Sequence, residues 1–274
     1  HRNLPGQRGA RRCCAGACIV IRALAALTVA LTLTATPACA VPTPPPATAP
    51  VVTLNTYGAF GNKGATAPVV ADVLALVKAH RPVVIALQEL CARQKIAIDK
   101  VLKPLGYVST FTTLTRLAQC NDKSGGNRYG LALYTKGAYT ARARYALPWG
   151  ANAPGKSNRG PRALLCVNTK AIGPKPVRVC TTHLATVDPD RARQLAAVAK
   201  ISAKWTNPLI LADFNLGTPT VRKSFPGRIM ADARVTTDGG SYLDGVVGSV
   251  TATAKPISSS DHHAVIATVP KATS

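Results

Sequence analysis

Eleven acidic residues occur in a chain of 274, and four of them, Glu89, Asp213, Asp244 and Asp261, stand beside apolar, strand-like runs. A carboxylate at the end of a buried strand is costly unless a cation or a hydrogen-bond donor meets it. The clearest case is Pro208-Leu209-Ile210-Leu211-Ala212-Asp213-Phe214-Asn215, four apolar residues that run into a carboxylate and, two further on, an amide. Two-residue alternation puts Asp213 and Asn215 on one face of an extended chain, where an oxygen ligand and an amide donor address the same atom. By itself Asp-Phe-Asn serves equally well to open a turn. The wider set decides: Asn55 closes one apolar run, Gln88-Glu89 a second, His183 a third, and His262 follows Asp261. Carboxylates, amides and imidazoles in this combination suit a hard cation, Mg²⁺ or Mn²⁺, and leave the histidines for protons or phosphate.

The elements that must position these groups are short. Residues 51–55 read as a strand. A Gly-rich loop then leads to Thr66-Ala67-Pro68, a cap followed by a proline in the first helical turn, and to Val69, Val70, Val73, Leu74 and Val77 at helical spacing. Residues 83–87 form a second strand, 92–102 a helix, and 107–115, 129–134 and 139–147 further strands. A polar loop over 148–159 precedes a hairpin, 163–168 with 177–182, across the Gly173-Pro174 turn. Asp188-Pro189-Asp190 opens a helix from Arg191 to about Lys204, and 241–247 and 260–266 are the last two strands. Hairpin-paired strands with few helices predict an α+β fold in which two packed, mostly antiparallel β-sheets are flanked by helices.

Charge bounds the partners. Lys and Arg number 34 against 11 Asp and Glu, giving +23 and drawing the chain toward polyanions, with nucleic acid first among them. Residues 1–40 hold five of those cations, an apolar stretch over 23–35 and Ala38-Cys39-Ala40, the layout of a secretory signal cut before Val41. The stretch is short for a membrane span, and Thr36-Pro37-Ala38 is a poor approach to lipid anchoring at Cys39. Residues 41–274 keep 29 cations against all 11 acids, a formal +18. Residues 41–50, with five prolines, read as an extended linker, and 51–270 as the catalytic domain of a secreted monomer. Cys91, Cys120, Cys166 and Cys180 remain in an exported domain; of three pairings, Cys91 with Cys120 and Cys166 with Cys180 is the expectation, the second across the hairpin.

The peptides Leu54-Asn55, Leu87-Gln88-Glu89, Thr182-His183-Leu184, Ala212-Asp213-Phe214-Asn215, Tyr242-Leu243-Asp244 and Ser260-Asp261-His262 occur in the order found in the endonuclease/exonuclease/phosphatase superfamily, which the sequence resembles over residues 51–269. The resemblance implies the deoxyribonuclease I-like sandwich and divalent-metal-dependent hydrolysis of phosphate esters. It assigns the metal to Asn55 and Glu89, with Asp261 lining the same site. His262, oriented by Asp244, becomes the general base; Asp213 aligns the water; Asn215 holds a phosphate oxygen; and His183 stabilises charge or serves the leaving group. Arg162 matches a phosphate-contacting arginine, with Arg159 as second candidate. The sequence departs from the pattern at Asn127, where members with the leaving-group histidine carry a glutamate before Arg-Tyr.

These readings lead to a secreted nuclease acting on DNA or RNA with little sequence preference, since backbone neutralisation reads no bases. A phospholipid or sphingomyelin diesterase is the alternative enzyme, opposed by the low aromatic content of 5%. A basic polyanion-binding module is the non-enzymatic one. His80 and His263 read as surface or packing residues, Asp72, Asp99, Asp188 and Asp190 as helix-surface or cap acids, and Trp149 and Trp205 as core or rim rather than base-stacking platforms.

Overall fold

The computed structural model describes residues 47–122, 126–149 and 160–272. The first sheet contains β1 (Thr48–Asn55), β2 (Val84–Cys91), β3 (Tyr107–Arg116), β4 (Arg128–Lys136), β10 (Thr251–Lys255) and β11 (Ala264–Pro270), in the order β10-β11-β1-β2-β4-β3. The second contains β5 (Tyr139–Leu147), β6 (Arg162–Thr169), β7 (Val177–His183), β8 (Leu209–Asp213) and β9 (Asp244–Val247), in the order β5-β6-β7-β8-β9. Each sheet has one parallel pair, β1 with β2 and β7 with β8; all other pairings are antiparallel. A parallel pair needs a crossover, supplied by helices α1 (Ala67–His80) and α3 (Asp190–Ser202).

Alternation sorts the side chains into three apolar layers. Val51, Val84, Leu131 and Leu133 meet Leu165, Val179, Leu211 and Val246 between the sheets. The opposite face of the first sheet, with Val52, Leu54, Ile85 and Leu87, packs on α1 and on α2 (Ala92–Leu102) through Val69, Val73, Ile98 and Leu102. The outer face of the second, with Leu164, Ile210, Ala212 and Phe214, packs on α3 and on α4 (Thr218–Ser224) through Leu195, Val198 and Val221. The expected fold class is thus the observed one. Among the described residues no helix is long and apolar enough to cross a membrane.

Several local expectations are corrected. The domain begins before Val51: Thr48, Ala49 and Pro50, assigned to the linker, extend β1 against Pro270, Val269 and Thr268. Pro50 is tolerated because β2 begins opposite Val51, so no acceptor waits for the missing N–H on that side. Helix α4 and strand β10 were not expected, the final two strands start later than their apolar runs, and Thr66 sits at the start of α1 without a side-chain capping bond. Both disulfides form as expected, Cys91–Cys120 and Cys166–Cys180, the latter between residues in register. The segment expected to be a secretory signal, most of the expected linker and Arg159 lie outside the described residues.

Candidate active site

The topology gathers strand ends. The parallel pairs deliver the carboxyl ends of β1, β2, β7 and β8, which carry Asn55, Glu89, His183 and Asp213. Their antiparallel neighbours begin where these end, so Tyr129, second in β4, lies beside Cys91, Arg162 opens β6, and Asp244 opens β9 opposite Asp213. The amide of Gln88 bridges the sheets just beneath, donating to Thr53 Oγ1 and Thr181 Oγ1 at 2.9 Å each.

Asp213 is the hub. Alternation from Leu211 points its fully buried carboxylate between the sheets. Its Oδ2 accepts from Asn55 Nδ2 at 2.9 Å and lies 3.3 Å from His183 Nε2 and 3.8 Å from His262 Nε2, while its Oδ1 accepts from the Asn215 backbone N–H at 2.9 Å. Burial, then the neighbouring Asp244, pushes its pKa up to about 7.

Glu89 arrives by a different route. Strict alternation from Leu87, which packs on the helix-facing side, would send it there too, yet Leu90 also packs on that side. A register shift between those two leucines, with Glu89 at φ 56°, turns the carboxylate inward. Burial and then Asp213 raise its pKa, whereas the Asn55 amide lowers it. Its Oε1 is 3.8 Å from His183 Nδ1, and its buried Oε2 has no hydrogen-bond partner.

His262 Nδ1 lies 2.8 Å from Asp244 Oδ2, which fixes the ring so that Nε2 faces Asp213. Its loop is pinned by Ser260, whose hydroxyl donates to the Asn55 carbonyl at 2.7 Å and accepts from the His262 N–H at 3.1 Å. Burial opposes protonation of this ring, but the Asp244 hydrogen bond and the charges of Asp244, Asp213 and Asp261 outweigh it and raise the pKa to about 10. His183 is the reverse. Burial, then Arg162 and His262, holds it well below its ordinary value, so it is a neutral imidazole.

Most of the expected residues therefore meet, with three differences in detail. Asn215 lies beyond the end of β8 at φ 51°, and its amide donates to the Leu184 carbonyl at 2.9 Å, bracing the turn instead of continuing the strand's alternation. Asn55 turns its amide nitrogen toward the carboxylates, while its Oδ1 accepts from the Tyr57 N–H at 3.0 Å. Asp261 is exposed and is felt in the cluster through its charge on His262 and Asp244. Arg162 is 8% exposed with an unpartnered Nε. The Asn127 side-chain oxygen accepts from the Asp122 N–H at 2.7 Å, closing its own loop.

Tyr129, Gln88 and Ser260 acquire roles that the motifs did not assign. Tyr129 is buried, and burial followed by the Glu89 charge lifts its hydroxyl pKa well above normal. Its sequence signal was its place two residues after Asn127. Among the described residues, Asp213, Asp244 and His262 bring ligand atoms within 4.8 Å of one another. Within that trio Asp244 Oδ2 meets His262, and both oxygens of Asp213 accept from Asn55 and from the Asn215 N–H, whereas Asp244 Oδ1 is buried without a partner. The buried Glu89 Oε2 is likewise without a partner, so Glu89 and Asp244 each offer an oxygen that a cation could take.

The profile of the Endonuclease/Exonuclease/phosphatase family matches residues 52–262, from the second sheet-core valine of β1 to the Asp244-bonded histidine. The chain belongs to that family. The family comprises phosphoester hydrolases, and this member is an enzyme of that class. Comparison with curated proteins gave no match. Among solved structures, the human Nocturnin catalytic domain with bound sulfate superposes with a TM-score of 0.58 at 17% identity, covering 81% of this chain and 93% of that one. An endonuclease/exonuclease/phosphatase from Beutenbergia cavernae DSM 12333 gives 0.63 at 18%, covering 81% and 71%. A truncated Caenorhabditis elegans TDP2 gives 0.57 at 20%, covering 81% and 97%. At these identities the likeness is one of fold.

Proposed function

We propose that this family member is an exported, divalent-cation-dependent phosphodiesterase that hydrolyses the backbone of DNA or RNA as a monomer. The observation that carries the reading is the Asp213 hub, where groups from both sheets meet around a buried carboxylate. The two disulfides support an oxidising compartment, in keeping with the signal-like residues 1–40.

Each residue has a chemical task. Asp213 orients the attacking water, and His262 accepts its proton at Nε2 while Nδ1–H donates to Asp244. His183, neutral and buried, donates a hydrogen bond to phosphate but is not an imidazolium acid. That agrees with the absence of a carboxylate at Asn127. Arg162 neutralises a non-bridging oxygen, and Asn215 holds the Asp213 turn at the phosphate side. Groups of this kind contribute about 10² to 10⁴ each in rate.

With a pKa near 10, His262 holds its proton at neutral pH while three carboxylates surround it, so it becomes a base only when positive charge joins the cluster. A bound Mg²⁺ or Mn²⁺ would supply that charge and neutralise phosphate oxygens; Glu89 would hold it, with Asp261 at the rim and Asn55 joining only through its oxygen, which now accepts from the Tyr57 N–H. The test is cleavage of plasmid DNA and of RNA by the folded domain with and without chelator, alongside His262→Ala. Cleavage that needs the cation and His262 is expected. Sphingomyelin hydrolysis with nucleic acid untouched would select the lipid reading, and activity that survives His262→Ala would overturn the assignment of the base.

A further inference from the structure

Two aromatic side chains among the described residues are exposed, Trp149 and, at 45%, Tyr242. Trp149 is 49% exposed, whereas the second tryptophan, Trp205, packs on Tyr145 at 5.8 Å and beneath Arg178 at 5.0 Å. An exposed indole leaves a large apolar face in water, and the backbone that carries this one lies at the site end of β5. Leu147, buried at the end of β5, is in register with Arg162, and Trp149 follows two residues later, roughly 7 Å of extended chain.

The backbone that presents it is anchored. Gln194 of α3, 1% exposed, donates from Nε2 to the Pro148 carbonyl at 3.0 Å and accepts from the Ala185 N–H at 2.7 Å. One buried amide thus ties the residue before Trp149 to the second residue beyond His183. The flank is cationic. Arg142 of β5 donates to Thr110 Oγ1 and the Phe111 carbonyl of β3, so the two edge strands adjoin, and Arg116 and Arg128 lie in register where β3 ends and β4 begins.

We infer that Trp149 is a stacking platform for an unpaired base of the substrate, so that single-stranded nucleic acid is preferred over duplex. This deepens the nuclease reading and rests on it. The chemistry is complementary: arginines neutralise a phosphate backbone, and an exposed indole at the site end of the adjoining edge strand offers a π-face for a base. In a duplex both faces of an interior base are already covered by its neighbours. Only a single strand or an end has a face to give.

The experiment uses Trp205→Phe, which leaves Trp149 as the sole indole. In chelator, which blocks cleavage, its fluorescence is followed while oligothymidylate, a duplex of equal length or phosphatidylserine vesicles are added. Quenching by the single strand at lower concentration than by duplex is expected. Trp149→Ala should weaken single-strand binding on the order of tenfold. It should raise KM on single strands with little change in kcat, and leave hydrolysis of bis(p-nitrophenyl) phosphate unchanged, while Trp149→Phe retains most of the affinity. Indole emission blind to oligonucleotides, normal binding by Trp149→Ala, or a response to vesicles alone would each overturn the inference. Stacking without cleavage of any nucleic acid would retain the platform and remove the nuclease reading instead.

Discussion

Asn55 Nδ2 and Asp213 Oδ2 are 2.9 Å apart, a hydrogen bond that closes the cleft end of the sandwich by joining β1 of one sheet to β8 of the other. The donor also lowers the pKa of Glu89, so one amide restrains two buried carboxylates. Asn55→Ala is expected to cost about 1–3 kcal/mol in urea unfolding, the range for stranding a buried polar group, together with most of the activity. Asn55→Asp adds a carboxylate to a pocket that already holds Glu89, Asp213 and Asp244 and should be worse in metal-free buffer. Unchanged unfolding midpoints for both variants would show that the bond does not hold the sheets.

Glu89 has a buried oxygen with no partner. Glu89→Gln keeps the shape and removes the charge, so calorimetric Mg²⁺ or Mn²⁺ binding should weaken by tenfold or more while the circular dichroism stays that of the parent. Unaltered binding would move the cation to the Asp213, Asp244 and His262 trio.

Asp244 and His262 act as one unit through a 2.8 Å contact. Asp244→Asn and His262→Ala should each lower kcat by about 10² or more, and the double variant should be little worse than His262→Ala alone. Strict multiplication of the two losses would show independent roles.

The carboxyl of Asp213 titrates at about 7 in the fold against an ordinary 3.8. Between those values the folded, metal-free protein holds a proton that the unfolded chain has released, so its stability falls as pH rises through that window. His262, raised to about 10 from 6.5, continues the trend in the same direction. Thermal unfolding in chelator should therefore show a declining Tm from weakly acid to alkaline pH. Asp213→Asn should flatten the lower part of that decline and raise Tm at neutral pH; a slope identical to the parent's would assign it to other groups.

Much of this site was legible because strands alternate. Val51, Thr53 and Asn55 share a face, as do Val179, Thr181 and His183, and Leu209, Leu211 and Asp213, so each apolar run pointed its terminal polar group between the sheets. What escaped the pattern was irregular backbone. Glu89 faces inward only because β2 bulges after Leu87, and Asn215 turns away because the chain takes a positive φ beyond Asp213. Both are conformations that pairing and packing impose and that side-chain periodicity does not encode. Helix α4 is seven residues long and β10 alternates small residues, so neither offers a strong apolar period. The role of Tyr129 follows from register with Cys91, a relation visible only once β4 is laid against β2.

The Lys271 N–H donates to the Ala47 carbonyl at 2.9 Å, so the first and last described stretches of the domain leave side by side, at the end of β1 remote from Asn55. A bead, a fluorophore or a fused carrier protein attached through either would sit behind the molecule. Immobilised in that orientation, the enzyme would keep its cleft turned toward the solution, and a bulky phosphoester could reach it without meeting the support.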